Sequence, residues 1–224
     1  MDFEPGIDSI DLSQALSVKD LASAAERLKL TEEGGSASLT LLDEQGQELQ
    51  HIRFDGLSES QLLGQDPAAM SDSDKLTQLL QGGQLILGDN FGSAKGETLH
   101  ADAQGSTLYG FGGDDSLYAG PGEDILSGGE GNDIFIWDEQ ALDAGSHQDV
   151  VVDFELGKDS LDFRELLNDD GKELTMDKLL SHLDVGINDD GKVELTVSSD
   201  SGAAQHVVLD NLTLDDLAPA APAT

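Results

Sequence analysis

The sequence predicts a mainly β protein with short helices, in which a right-handed coil of short parallel strands lies between small α+β segments that contain hairpins. Two observations predict this fold: a repeat with a period of nine residues, and a longer duplication on either side of it. A hydrophobic fraction of 38% over 224 residues is enough to bury a core. We therefore expect a folded chain of one large domain or of two to three small ones.

The nine-residue repeat is marked by large apolar residues at constant spacing, which are Leu99, Leu108, Leu117, Leu126 and Phe135. A stretch rich in Gly and Asp precedes each of the last three. Six such residues suit a tight turn, because Gly takes positive φ and leaves carbonyl groups uncovered, and the other three suit a short strand. Two repeats therefore make one turn of the coil, and strands two repeats apart should lie side by side.

This coil would stack the carboxylates of Asp115 and Asp133 at the roughly 5 Å spacing of neighbouring strands. At an effective dielectric constant of about 20, two charges at that distance repel by roughly 3 kcal/mol. A dication reverses the sign, because Ca²⁺ takes several oxygen ligands in flexible geometry and these turns offer carboxylates and carbonyls together. From Gly96 to Asp149 the chain has no Lys or Arg that could compete with such an ion.

The three later repeats resemble the G-G-x-G-x-D-x-U-x calcium-binding repeat of RTX proteins. They are Gly110–Tyr118, Ala119–Ser127 and Gly128–Ile136. The segment Asp149-Val150-Val151-Val152-Asp153-Phe154 resembles the one that closes RTX rolls, and with the following hairpin region it is similar to the C-terminal target domain of type I secreted proteins, particularly large bacterial RTX adhesins. The resemblance implies a parallel β-roll, folding triggered by calcium outside the cell, and an uncleaved C-terminal export signal.

The resemblance also implies a set of metal ligands made of aspartates and of the carbonyl groups of Gly-rich turns. They are Asp115, Asp124 and Asp133, with Gly110, Gly112, Gly113, Asp114, Gly122, Gly128 and Gly131 in the turns, Glu97 at the aspartate position of an earlier repeat, and Asp149 and Asp153 in the closing segment. For the last two, another interpretation stays open: solvated carboxylates on either side of a buried valine strand. Lys95 and Gln104 replace the turn glycine in the two earlier repeats, which carry the pattern less completely.

The longer duplication pairs residues 2–11 with residues 153–162, and residues 51–58 with residues 206–213. Each copy has an amphipathic helix, which we expect Ser17 to cap in the first copy and Thr175 in the second. The expected apolar faces are Val18, Leu21, Ala22 and Ala25 in one helix and Met176, Leu179, Leu180 and Leu183 in the other. A hairpin with alternating apolar residues should follow each helix.

Two details of the duplication bear on metal sites other than the repeats. Asn188–Gly191 resembles part of an EF-hand loop, but Gly186 and Val197 stand at its first and last ligand positions, so a hairpin turn is the better interpretation. The histidines His51 and His206 fall at matching places in the two copies, which predicts a strand position more than a zinc site.

These patterns divide the chain into five segments. Residues 1–60 are a partial copy of the unit after the roll, 61–90 a helical linker, 91–137 the roll with Trp137 over its open end, 138–217 the secretion target domain and 218–224 a flexible tail. Because the chain begins inside the duplicated motif, we infer a fragment of a longer, repetitive protein.

The charge balance excludes several classes of function. Eleven Lys and Arg against 46 Asp and Glu give a net charge of −35, which repels nucleic-acid phosphates and anionic lipids and attracts cations. The absence of Cys excludes disulfides and thiolate zinc sites. No apolar run is long enough to cross a bilayer, and no basic, apolar secretory signal begins the sequence.

Neither the H-E-x-x-H motif of zinc proteases nor the G-x-S-x-G motif of lipases occurs, so we expect no enzymatic activity. The expected cofactor is Ca²⁺, and the expected partners are calcium ions and a type I secretion transporter. The leading hypothesis is the calcium-binding C-terminal module of an adhesin, a monomer secreted by or held on a Gram-negative bacterium. The alternative is the tail of a secreted hydrolase whose catalytic domain lies outside this sequence. No constellation supports a separate ligand-binding domain in residues 1–90.

Overall fold

The computed structural model describes residues 3–5, 7–16, 18, 20–138, 141, 147–167, 175–199 and 203–217. The chain divides into two compact units, Met1–Ala94 and Lys95–Thr224. Both consist mainly of strands with a few short helices, which is the fold class that the sequence predicts. Within the described ranges, no helix has the length and apolar character needed to cross a membrane. The predicted tail, residues 218–224, lies outside these ranges.

The first unit combines a small antiparallel sheet with helices. Its elements are β1 (Ile10–Asp11), α1 (Leu21–Arg27), β2 (Leu28–Glu33), β3 (Ser36–Leu42), β4 (Glu48–Phe54), α2 (Glu59–Leu63), a 3₁₀ helix (Pro67–Ala69), α3 (Asp72–Gln81), β5 (Leu85–Ile86) and β6 (Phe91–Ser93). Strands β2, β3 and β4 form the sheet in that order, and β1 pairs in parallel with β5. The apolar residues of β3, Ala37, Leu39 and Leu41, are buried as expected, but Ser36 and Ser38 are buried too, so burial does not alternate along this strand.

The start of α1 differs from the prediction. Its N-cap is Asp20, whose carboxylate accepts the Ser23 N–H at 2.7 Å while the Ser23 hydroxyl faces the Asp20 N–H. This reciprocal capping box satisfies two amide groups at once and so fixes the start of the helix at Leu21. The predicted cap, Ser17, is outside the described residues, and Ala22 of the predicted apolar face is exposed.

Residues 61–90 form part of the first unit's core and not the predicted linker. Helix α3 packs on α1, α2 and β2 and buries Leu76, Leu79 and Leu80, which follow the helical repeat. Lys75 Nζ lies 2.7 Å from Glu59 Oε2 of α2, and both side chains are largely buried. This ion pair and the leucine face attach α3 to the unit.

The second unit contains the roll and the hairpin that follows it. Its elements are β7 (Thr98–His100), β8 (Thr107–Phe111), β9 (Ser116–Ala119), β10 (Ile125–Ser127), β11 (Ile134–Trp137), β12 (His147–Val151), β13 (Ser160–Asp162), α4 (Met176–His182), β14 (Leu183–Ile187), β15 (Val193–Ser198), β16 (Ala204–Leu209) and α5 (Leu214–Leu217). One sheet has the order β13-β11-β9-β7, and the other runs β14-β15-β16-β12-β10-β8.

Strands two repeats apart pair in parallel, as the nine-residue period predicts. Leu117 is the register partner of both Leu99 and Phe135, and Leu108 is the partner of Leu126. All five side chains are buried between the two sheets. The apolar row of the repeat is therefore the core of the roll.

Trp137 is not a lid over an open end. It is the last residue of β11, it has no exposed surface, and its ring stacks on Phe163 with centroids 4.9 Å apart. Side chains alternate along a strand, so Trp137 points inward two residues after Phe135.

The hairpin after α4 joins the roll through its last strand. β16 pairs antiparallel with β15 and parallel with β12. Thr175 caps α4 as predicted, with Oγ1 accepting the Lys178 N–H at 3.2 Å, and Gly191 has φ 78° in the turn between β14 and β15. The apolar face predicted for α4 is half wrong, because Met176 and Leu180 are exposed and Leu179 and Leu183 pack on the core. A helix of two turns presents only one row of side chains to the sheet.

The two copies of the duplicated sequence have the same order of elements, a helix followed by three antiparallel strands. Thr40 faces His51 across β3 and β4, with Oγ1 and Nδ1 3.1 Å apart. Thr196 faces His206 across β15 and β16, with the same atoms 3.3 Å apart. The matching histidines occupy equivalent strand positions, as predicted.

Candidate metal centre

The Gly-rich turns lie along two edges of the roll. Turns that end at Glu97, Asp115 and Asp133 stack on one edge, because β7, β9 and β11 that follow them are neighbours. Turns that end at Ser106 and Asp124 stack on the other edge, before β8 and β10. These are called the Asp133 edge and the Asp124 edge below.

On the Asp133 edge, each carboxylate holds the backbone of the preceding turn. Oδ1 of Asp133 accepts the Asp115 N–H at 2.9 Å, and Oδ1 of Asp115 accepts the Glu97 N–H at 2.7 Å. The row continues to Asp159, whose Oδ1 accepts the Asp133 N–H at 3.0 Å. One oxygen of each carboxylate thus fixes the stacking of the turns, and the second oxygen is left for another partner.

The second oxygens of Asp115 and Asp133 are buried, and within the described part of the chain they have no hydrogen-bond partner. A buried polar atom without a partner is costly. Burial, together with the smaller effect of the nearby charges of Asp133 and Glu97, raises the pKa of Asp115 to about 7. Burial also raises the pKa of Asp133. At neutral pH this pair therefore needs either protons or a cation.

Glycines shape the space beside these two oxygens. A Cβ atom at Gly110 would clash with Oδ2 of Asp115 and would lie 2.5 Å from the carbonyl oxygen of Gly128. A Cβ atom at Gly128 would clash with Oδ2 of Asp133. Carboxylate and carbonyl oxygens therefore converge in space that only glycine leaves open. An all-oxygen set of this kind fits Ca²⁺.

The turns themselves are stacked too closely for side chains. Gly113 and Gly131 have φ of 95° and 154°, and a Cβ atom at Gly131 would clash with the carbonyl group of Gly113. Gly112 is buried and bridges to Glu130 of the next turn. The pattern of glycines is thus required by backbone contact as well as by the ligand space.

Asp114 lies on the outer side of the same turn. Its Oδ1 accepts the Asn132 N–H at 2.9 Å and the Asn132 side-chain amide at 3.0 Å, and these bonds lower the pKa of Asp114. The side chain is exposed. Asp114 therefore links two turns from outside and does not face the buried oxygens.

The Asp124 edge has the same sequence pattern and a different hydrogen-bond arrangement. Asp124 Oδ1 accepts the Ser106 N–H at 2.6 Å, and Oδ2 accepts the Gly120 N–H of its own turn at 3.1 Å. Burial raises the pKa of Asp124 to about 6. Gly122 has φ 118° and approaches the backbone of Gly105. Both oxygens of Asp124 already accept N–H groups of the protein. The Asp124 edge therefore has fewer oxygens available to bind a cation than the Asp133 edge.

Asp149 is buried in the core and ends the row of carboxylates on the Asp124 edge. Its Oδ1 accepts the Asp124 N–H at 2.8 Å, and its Oδ2 accepts Trp137 Nε1–H at 2.7 Å and Gln205 Nε2–H at 2.8 Å. Its side chain has no exposed surface, and burial raises its pKa to about 7. The interpretation as a solvated carboxylate is wrong, and three N–H donors favour a structural role over metal binding.

Asp153 lies against the last nonapeptide turn. It accepts the N–H groups of Gly128 and Gly129, both at 3.0 Å, and the Ser127 hydroxyl at 2.7 Å. Of the three valines before it, only Val151 is fully buried. Asp153 is thus beside the Asp133 edge and orders its Gly128 turn.

The sequence reasoning missed Asp159, which ends the row of carboxylates on the Asp133 edge. It follows Asp133 by 26 residues, whereas Asp133 follows Asp115 by 18, so a search with a period of nine passes over it. Its Oδ2 accepts the Glu155 N–H at 2.7 Å. One feature of the sequence could have identified Asp159: Gly157 stands two residues before it, and a glycine stands two residues before the aspartate in each of the three later repeats.

Among the described residues, no group of three or more His, Asp or Glu side chains could hold a metal by itself.

Comparison with known proteins identifies the repeats. Residues 91–126 and 109–136 match the family model of the RTX calcium-binding nonapeptide repeat. No curated protein matches the chain. A solved structure that matches is the solution structure of the AlgE6R3 subunit from the Azotobacter vinelandii mannuronan C5-epimerase. It is 24% identical, covers 59% of this chain and 84% of that chain, and gives a TM-score of 0.22. The Gly-rich repeats of this chain are therefore similar in sequence to RTX calcium-binding nonapeptide repeats.

Proposed function

We propose that this chain is a calcium-binding module whose principal site is the Asp133 edge of the roll. The observation that carries the proposal is a pair of buried oxygens, Oδ2 of Asp115 and Oδ2 of Asp133, which have no donor among the residues that the structure describes. Each faces space that a glycine leaves open. Asp115 and Asp133 would hold the ion together with carbonyl oxygens of turns 110–115 and 128–133.

Calcium would supply positive charge between like-charged turns and nothing else. The chain's own residues do the remaining work: the Oδ1 atoms hold the stacked turns through N–H groups, and the buried apolar row excludes water between the sheets. Folding of the roll should therefore depend on the ion, since an ion bound only by the folded state stabilises that state.

If folding of the roll depends on calcium, the protein is expected to function outside the cell. Extracellular calcium modules have dissociation constants of about 10⁻⁴ to 10⁻³ M, above the free concentration in cytosol. Such a roll stays unfolded during export and folds on arrival. We infer secretion through a type I transporter, with the export signal between Asp149 and Leu217, and a non-enzymatic role as the C-terminal module of an adhesin.

The calcium part of the proposal is tested by calorimetric titration and circular dichroism of the full chain. We expect calcium binding, a gain of β signal and a higher melting temperature. Asp133→Asn, which keeps shape and removes charge, should weaken binding by about tenfold or more, as for a charged ligand. Asp189→Asn in the exposed hairpin turn is the matched control. A melting temperature unchanged by calcium would refute the proposal.

The export part is tested with a passenger fused to the chain. Removal of residues 149–224 should stop secretion, and removal of residues 1–60 should not. Secretion of the first truncation through the same transporter would overturn the export role and leave calcium binding standing.

A further inference from the structure

Strand β4 is the counterpart of β16 in the duplicated sequence, and the two strands have different neighbours. Gln50-His51 of β4 corresponds to Gln205-His206 of β16. β16 lies between β15 and β12. Within the described residues, β4 pairs with β3 alone, so its other edge is open.

In the second unit, the edge of β16 that corresponds to the open edge of β4 is paired with β12, and Gln205 contributes to that contact. It is 1% exposed, and its Nε2 donates to Oδ2 of Asp149 on the neighbouring strand β12. Gln50, at the same place in β4, is exposed, and the side chain of Leu49 beside it is 55% exposed. β4 therefore has the glutamine that contacts a neighbouring strand in the second unit, but among the described residues no strand pairs with that edge of β4.

Strand β1 and its counterpart β13 also differ in their neighbours, which is a second and independent observation. β13 donates the Ser160 N–H to the Asp133 carbonyl of the roll at 2.8 Å. In β1 the equivalent residue is Ser9. The N–H groups that point toward β5 are those of Ile10 and of Leu12 just after the strand, and they donate to the carbonyl groups of Gln84 and Ile86. Successive N–H groups of a strand point to opposite edges. The edge of β1 that corresponds to the roll side of β13 therefore faces away from β5.

We propose that the first unit is the cap of a second calcium-binding roll, whose last strand adds in parallel to the open edge of β4. The strand it fits resembles β12, with an aspartate two residues after the position opposite the glutamine. A second copy of this chain does not supply it, because its β12 is already held between β10 and β16. The occupant is thus a roll strand without a cap of its own. Open strand edges readily accept such additions.

The test uses the calcium-loaded full chain and a labelled peptide with the sequence of residues 147–152, His-Gln-Asp-Val-Val-Val. We expect saturable binding by fluorescence anisotropy, and slower hydrogen exchange of the β4 amides without a change in β14, an edge strand of the second unit. Gln50→Ala should weaken binding by about tenfold, the effect of losing one hydrogen bond to a carboxylate. Gln45→Ala, in the exposed turn before β4, is the matched control.

A peptide with its Asp replaced by Ala should bind as weakly to the wild type as the natural peptide binds to Gln50→Ala. The affinity of this altered peptide should be the same for the wild type and for Gln50→Ala, because both changes remove the same hydrogen bond. Binding that Gln50→Ala leaves unchanged, or protection of β14 equal to that of β4, would overturn the proposal. No binding at millimolar peptide would overturn it as well, and the calcium titration would be unaffected.

Discussion

Trp137 donates its indole Nε1–H to Oδ2 of Asp149 at 2.7 Å, and neither side chain has any exposed surface. The same carboxylate accepts Gln205 of β16 and the backbone of Asp124. One buried group thus joins the last nonapeptide strand, the closing strand, the hairpin and a turn of the Asp124 edge. The roll and the hairpin are connected by charge-assisted hydrogen bonds as well as by apolar contact.

Asp149→Asn should destabilise the second unit strongly. The amide keeps one acceptor oxygen and turns an NH₂ group toward N–H donors, which leaves buried donors without a partner. We expect a loss of about 2 to 4 kcal/mol, the range for breaking a buried charged network. Urea unfolding in calcium measures it. Asp189→Asn, in the exposed hairpin turn, should be neutral, and equal stability of the two variants would contradict the structural role of Asp149.

Trp137→Phe is a milder change at the same place. It removes one donor to Asp149 and keeps an aromatic ring against Phe163. We expect a loss of about 1 to 2 kcal/mol, in part from the lost hydrogen bond. In the Asp149→Asn background the change should cost less, because the bond it removes is already broken. A double-mutant cycle by urea unfolding checks this coupling, and strict additivity would show that the bond contributes nothing.

The two edges of the roll should differ in calcium affinity. Oδ2 of Asp133 is without a donor among the described residues, whereas Oδ2 of Asp124 accepts the Gly120 N–H. Asp133→Asn should therefore lower affinity more than Asp124→Asn, by about tenfold against threefold or less. Calorimetric titration of both variants measures the difference. The reverse order would mean that the Asp124 edge is the principal site.

Without calcium, stability should fall as the pH rises. Burial raises the pKa of Asp115 and of Asp149 to about 7 and that of Asp124 to about 6, whereas unfolded aspartates titrate near 4. Between pH 4 and 7 the folded state therefore binds more protons than the unfolded state, so stability falls with rising pH in that window. Urea unfolding at pH 5 to 8 in calcium-free buffer should show the slope.

High salt and one variant separate this effect from the general repulsion of a chain with a net charge of −35. In 0.5 M salt the repulsion between exposed charges is screened, and the buried carboxylates keep their shifts. Asp115→Asn should flatten the slope, whereas Asp190→Asn in the exposed hairpin turn should not. With calcium present the dependence reverses, because protons compete with the ion, and affinity should fall below about pH 7. Stability that rises with pH in the absence of calcium would contradict the argument.

Gly131→Ala should disrupt the roll even when calcium is saturating. The added Cβ would clash with the carbonyl group of Gly113, and φ of 154° strains any L side chain. We expect a loss above about 2 kcal/mol, typical of strain at a special backbone position. Gly186→Ala in β14 is the control, because its Cβ would meet nothing within 4 Å. Thermal unfolding compares them, and similar melting temperatures would mean that the turns are less closely stacked.

The sequence by itself determined the roll. A period of nine places every large apolar residue of the repeat on the same side of its strand, and the Gly-rich turns have few alternatives, so the pairing of Leu108 with Leu126 follows from local spacing. The same reasoning found Asp115, Asp124 and Asp133 and the hairpin turn at Gly191. These features depend on residues close in sequence or on a strict repeat.

Only the tertiary structure decided how the individual carboxylates are used. Asp124 and Asp133 stand at the same place in the pattern, but only Asp124 receives an N–H from its own turn on Oδ2. Asp149 receives Gln205 from 56 residues away, a contact that exists only once the hairpin has docked on the roll. The packing of α3 and the open edge of β4 are likewise set by contacts between distant elements. A carboxylate's role depends on which donors surround it, and the sequence pattern does not contain donors that arrive from elsewhere in the chain.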